Sequence, residues 1–125
     1  NFDDLRRSVS GDVVTREEAH YAATRNALVW NGRKPARTPG RSVADVQAAV
    51  RFAAAAGLRV SARGAGHQFS GIAVQEGIVL DLSALDHIEV DTDQMIAYVG
   101  PTVRNGDAAR IFGEHGLAFP LGHCA

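Results

Sequence analysis

Between Ser42 and Gly57 the apolar residues Val43, Val46, Val50 and Ala53 recur at the spacing of one helical face. Ser42 offers a side-chain oxygen to cap the first turn, and Gly57 supplies a C-terminal stop. This predicts a helix running to about Ala56. The apolar stretch Leu58–Ala62 then reads as a strand, and Ala36–Thr38 as a short extended piece before the helix. Strand, helix and strand in succession predict a β-α-β unit. Gly77–Leu82 is a short apolar run with the character of a buried strand. Ile88–Asp91 and Met95–Val99, joined by Thr92-Asp93-Gln94, predict a hairpin. Asp107–His115 reads as a short helix with Ile111 and Phe112 as its apolar face and Gly116 as its cap. Leu117–Ala125 reads as a short strand followed by a loop. Upstream, Thr15-Arg16-Glu17-Glu18 has capping-box form and predicts an Ala-rich helix to about Trp30, ended by Asn31-Gly32 and Pro35.

Composition narrows the class. A chain of 125 residues can build one modest domain with a real core. Hydrophobic residues make up 46% and charged residues 22%, which is globular rather than disordered. The formal net charge of -1 gives no electrostatic case for nucleic acid or an anionic membrane surface. No apolar run approaches the roughly 20 residues needed to span a bilayer. The single cysteine excludes an internal disulfide framework and suits a reducing compartment. With no glycosylation sequon, the expectation is a bacterial cytoplasmic protein. The chain begins at Asn1 rather than Met and stops at Ala125 inside a Gly-His-Cys turn. The expectation is therefore a fragment, with the remainder of the same polypeptide as its partner.

The candidate chemistry lies in Arg63-Gly64-Ala65-Gly66-His67-Gln68-Phe69-Ser70-Gly71 and in Gly122-His123-Cys124. Glycines let a backbone come close to a ligand, and successive N–H groups there can cradle a phosphate. His67 places a nucleophile or ligand beside such a cradle. The loop is not a dinucleotide fingerprint. The spacing from Gly64 and Gly66 to Gly71 is wrong for G-x-G-x-x-G, and Ile72-Ala73-Val74 follows where a helix is needed. His67 also has the plain reading of a loop histidine satisfied by a carbonyl, and Cys124 that of an inert buried thiol. A zinc site from His115, His123 and Cys124 matches no common spacing and lacks an evident fourth ligand. His20 and His87 read as ordinary helix and turn residues, and Asp81 as a strand-end cap.

Four segments, in order, resemble the N-terminal half of a known FAD domain. These are Pro39–Phe52 around Asp45-Val46, Val60–Gly71 with Arg63-Gly64-Ala65-Gly66-His67, Val79–Leu85, and Gly116-Leu117-Ala118 with Gly122-His123-Cys124. They are similar to the berberine-bridge-enzyme-like oxidases, within the vanillyl-alcohol-oxidase type of FAD-linked oxidoreductases. The resemblance implies an α+β fold: the N-terminal part of a PCMH-type FAD-binding domain, with a small β-α-β subdomain and the start of a second mixed-sheet subdomain. It implies an incomplete FAD-binding portion over 35–125, which the N-terminal helical segment read from the residues, 1–34, would precede. It further implies that His67 carries FAD through the 8-methyl group and that Cys124 forms a second link at ring position 6. Arg63, Gly64, Ala65, Gly66, Gln68, Gly71, Gly122 and His123 would complete the cofactor contacts. No metal is implied, and the catalytic base would lie elsewhere in the polypeptide. The implied activity is hydride transfer from an alcohol, sugar or amine carbon of a small-molecule substrate to flavin N5, with dioxygen as acceptor. The alternatives that stay open are a singly tethered FAD dehydrogenase, a non-covalent one, a non-enzymatic binding module and, more distantly, a Rossmann-type nicotinamide protein. One departure from the family pattern is Ala65, where the family carries a glycine; alanine restricts φ as glycine does not.

Overall fold

The computed structural model describes residues 1–19, 21, 36–39, 42–64 and 76–122. The chain opens with α1 (Phe2–Ser8), a helix that the hydrophobic pattern did not predict. It has a single buried apolar residue, Leu5, so it shows no periodicity to read. Its ends hold it instead. The Asn1 side chain caps the Asp3 N–H, Asp3 and Asp4 occupy the first turn, and Arg6 and Arg7 the last, each complementing the helix dipole. Arg6 also pairs with Glu18 and donates to the Val13 carbonyl, folding the following segment back.

The predicted helix from Thr15 does not begin there. Residues 15–19 form a turn closed by the Glu18 N–H on the Thr15 carbonyl. The rest of that prediction, apart from Tyr21, which is helical and buried, lies outside the described residues.

The β-α-β unit is present as β1 (Ala36–Pro39), α2 (Val43–Ala56) and β2 (Val60–Arg63). Ser42 Oγ caps α2 at the Asp45 N–H, and Gly57 ends it at φ 64°. The buried face matches the predicted one only in part. Ala53 is buried and Val46 packs partly against the core, but Asp45 and Ala49 also point inward, while Val43 is 64% and Val50 45% exposed. Alanines bring the helix close to the sheet. Asp45 can be buried because its carboxylate accepts both the Ser10 N–H (2.9 Å) and the Ser10 hydroxyl (2.8 Å). This bond ties the N-terminal segment to α2.

The apolar run becomes β3 (Ile78–Asp81), with all four residues buried. It lies between β1 and β2 and runs parallel to both, in the order β1-β3-β2. Ile78 and Leu80 join Leu5, Val13, Ala49 and Ala53 in the core. Val79, on the opposite face, is also fully buried, as a parallel sheet requires. β2 begins two residues later than predicted and takes in Arg63, so the candidate loop starts from the last residue of a strand.

β4 (Ile88–Asp91) and β5 (Ile96–Val99) form the predicted antiparallel hairpin. Met95 is not in the strand; it sits in the turn at φ 57°. α3 (Asn105–Glu114) starts two residues earlier than predicted and buries Ala108 and Phe112 rather than Ile111 and Phe112. Gly116, at φ 68°, follows its end. No strand forms over residues 117–122. Among the described residues no helix is long and apolar enough to cross a membrane.

Candidate functional site

Parallel strands direct all their carboxyl ends to one edge, where open α/β sheets bind ligands. Here that edge is formed by Pro39, Arg63 and Asp81, which share one register row. Because β2 and β3 are parallel, β2 ends at this edge and β3 begins at the opposite one. The start of β3 is tightly held: a side chain on Gly77 would strike the Arg59 carbonyl, which instead accepts the Ile78 N–H at 2.8 Å.

At the edge itself, Asp81 accepts the Ser83 N–H at 3.0 Å, the strand-end cap expected of it. The Arg63 carbonyl accepts the Leu82 N–H at 2.9 Å. The Arg63 guanidinium is less well served. Its Nε and Nη1 are cut off from water and have no hydrogen-bond partner, and burial pushes its pKa below the usual arginine value.

Gly64 comes next and meets a second piece of backbone. A Cβ there would lie 2.6 Å from the Pro101 carbonyl oxygen. The turn Gly100–Val103 is fixed from behind: the Gly100 N–H donates to the His87 carbonyl (2.8 Å), and Thr102 Oγ1 to the Leu85 carbonyl (3.0 Å). A cavity of about 400 Å³ opens beside Gly64, bounded by Ser83, Thr102, Arg104, Asp107 and Arg110. Sequence reasoning missed Pro101, Thr102 and Asn105 as parts of this frame. The Gly100-Pro101 turn signal was the available clue.

The second candidate segment approaches the same frame. The Leu117 N–H donates to the Phe112 carbonyl, and residues 117–122 then run back along α3. They line an apolar groove with Val90, Ile96 and Phe112, where Phe119 meets Phe112 edge-on at 6.5 Å. The Gly122 carbonyl accepts Asn105 Nδ2 at 3.1 Å, in the first turn of α3. Thus Gly64 and Gly122 both abut the short stretch Gly100–Asn105. Ala65, Gly66, His67, Gln68, Gly71, His123 and Cys124 lie outside the described residues.

Comparison with known proteins places this arrangement. A family model described as "FAD binding domain" matches residues 39–125. The (R)-6-hydroxynicotine oxidase of Paenarthrobacter nicotinovorans is 34% identical over 120 residues, covering 92% of this chain and 26% of that protein. The crystal structure of 6-hydroxy-D-nicotine oxidase from Arthrobacter nicotinovorans superposes with a TM-score of 0.75 at 32% identity, over 87% of this chain and 25% of that one. The BBE-like 1 protein of Physcomitrella patens gives a TM-score of 0.85 over 99% of this chain and 28% of its own; at 22% identity it speaks to the fold. The chain spans about a quarter of the length of the relatives it matches. With the PCMH-type α+β fold and a family match running from β1 to its last residue, the chain belongs to the FAD-binding domain family of the FAD-linked oxidoreductases.

Proposed function

We propose that this chain holds FAD covalently within a FAD-dependent oxidase. The residues at the sheet edge fit such a group. Buried guanidinium N–H groups without acceptors suit a phosphate, and a glycine with no room for a side chain suits close backbone approach. The observation that carries the reading is the convergence of the two motif-bearing segments on Gly100–Asn105. His67 is three residues beyond Gly64, and Cys124 two beyond Gly122, so chain length alone keeps each within about 11 Å and about 7 Å of an anchored glycine. Two nucleophilic side chains delivered to one frame could engage one ring system.

In this reading the backbone N–H groups of residues 64–71 wrap the pyrophosphate. His67 would hold the flavin at its 8-methyl carbon and Cys124 at ring position 6, each new bond replacing a flavin C–H while the two protons and two electrons released pass to dioxygen, and the two links would fix the ring's orientation. Gly122 and His123 carry the cysteine to the ring. Bound FAD supplies the redox chemistry, accepting hydride from a substrate carbon and passing electrons to dioxygen. The substrate class is an amine, alcohol or sugar carbon; the resemblance to a protein named as a nicotine oxidase favours an amine.

The test is the mass and colour of the denatured, washed whole protein. A mass increase matching FAD, with yellow colour retained, is expected. His67→Ala should leave one link and Cys124→Ala the other, each with a changed flavin spectrum. A colourless wild-type protein rules out covalent attachment. Retained colour with an unchanged spectrum in Cys124→Ala leaves a single tether at His67.

A further inference from the structure

The last residue of β2 poses a problem that the fold does not solve. Arginine stays charged in proteins, and a charge withdrawn from water is costly unless it is paired. Arg63 Nε and Nη1 are withdrawn and unpaired. Asp81, opposite Arg63 in register, turns an oxygen to the Ser83 N–H. The cavity beside Gly64 carries Arg104 and Arg110 against Asp86 and Asp107, so the charges on its wall balance in number. Arg110 also reaches Glu114 at 2.6 Å. Among the described residues, the uncompensated cation in this corner is Arg63.

Its position is informative as well. The side chain leaves the carboxyl edge of a parallel sheet, one residue before Gly64, where a Cβ would strike the Pro101 carbonyl. A guanidinium fork matches the spacing of phosphate oxygens, and a buried orphan donor in a native fold calls for an acceptor. A purely structural arginine would instead have found a carbonyl or carboxylate.

We propose that Arg63 is the ionic anchor of the cofactor's pyrophosphate, its Nε–H and an Nη1–H donating to phosphate oxygens. This rests on the FAD reading above. It adds that a side chain, and not the loop backbone alone, fixes the diphosphate.

The experiment uses the whole protein in a His67→Ala/Cys124→Ala background, in which flavin binds reversibly. FAD and riboflavin are titrated by flavin fluorescence, and ADP by calorimetry. Arg63→Met should weaken FAD and ADP binding roughly 10- to 100-fold. Riboflavin, which has no phosphate, should bind within about twofold of the parent, a difference too small to reflect a lost charged hydrogen bond. Arg63→Lys keeps the charge without the fork and should recover part of the loss. The melting temperature of ligand-free Arg63→Met should equal or exceed that of the parent, because two water-excluded, unpaired N–H-bearing nitrogens have been removed. Unchanged FAD and ADP affinity would overturn the proposal. So would an equal loss for riboflavin, or a lower ligand-free melting temperature in Arg63→Met. If the parent itself binds neither FAD nor ADP, the FAD reading falls and the anchor with it. If the parent binds both, and Arg63→Met binds them equally well, only the anchor falls.

Discussion

Gly64→Ala probes the contact on which the site frame depends. The added Cβ would stand 2.6 Å from the Pro101 carbonyl oxygen, well inside the 3.4 Å at which ordinary contact begins. One of the two backbones must therefore move by most of an ångström. Pro101 has little freedom to yield. The Gly100 N–H is bound to the His87 carbonyl, Thr102 Oγ1 to the Leu85 carbonyl, and the Val103 N–H to the Gly100 carbonyl. Gly64 is held on its other side by Arg63, whose carbonyl takes the Leu82 N–H. Overpacking of this kind costs about 1–3 kcal/mol. Urea unfolding of the variant should show a loss in that range, with the slope unchanged. Gly113→Ala is the control, since a Cβ there meets nothing within 4 Å and the site is helical. It should be neutral or stabilise by up to about 1 kcal/mol. FAD affinity should fall in Gly64→Ala and stay level in Gly113→Ala. If the two variants unfold at the same urea concentration, Gly64 does not carry the contact and the frame argument is wrong.

Three further outcomes follow from other parts of the molecule. Leu5→Ala removes a fully buried side chain from the core shared with α2 and β3, and should cost about 2–5 kcal/mol in urea unfolding; a loss below about 1 kcal/mol would mean that α1 is not packed as described. Met95→Gly relieves a left-handed backbone at φ 57° and should stabilise the hairpin by about 0.5 kcal/mol after the entropy of glycine is subtracted; a drop in melting temperature would contradict this. The hydrogen bond from Arg6, and then that from Asn1, hold the Asp3 carboxyl below its ordinary value. A depressed folded-state pKa contributes stability above the unfolded value and loses it as pH falls through the folded one. The melting temperatures of wild type and Asp3→Asn should therefore differ at neutral pH and converge once the pH falls below the depressed folded-state value; a gap that persists in acid would refute the assignment.

Much of the frame was legible because it is local. Ser42 and Gly57 bracket α2 through capping alone, and the run Ile78–Asp81 declares a strand buried on both faces. The failures share one cause. Val43, Val46 and Val50 lead to Ala53 at helical spacing, but so do Asp45 and Ala49, and of the valines only Val46 packs against the core. Which face turns inward depends on how closely the helix must approach β3 and on whether a partner exists for a buried carboxylate. That partner is Ser10, 35 positions away, which no window contains. α1 was invisible because its stability comes from one anchor and its charged ends. Strand order was equally hidden, since nothing in β3 says that it will insert between β1 and β2.

The site divides along the same line. A loop of glycines around a histidine can be read as a motif, but not the reason for its glycines. Gly64 is small because Pro101, brought in by the β4–β5 hairpin, occupies the place of its side chain. Gly122 sits against Asn105 because residues 117–122 double back along α3. The hairpin and α3 thus set the position of both motif-bearing segments, although neither carries a candidate reactive group. A two-stranded ribbon is weak by itself, and β5 is exposed along its whole length. What it contributes is the backbone that follows it, which meets Gly64 at Pro101 and Gly122 at Asn105. On this argument, substitutions that loosen the hairpin should impair flavin attachment before they impair the parallel sheet, whose core of Leu5, Ala49, Ile78 and Leu80 is built from other residues.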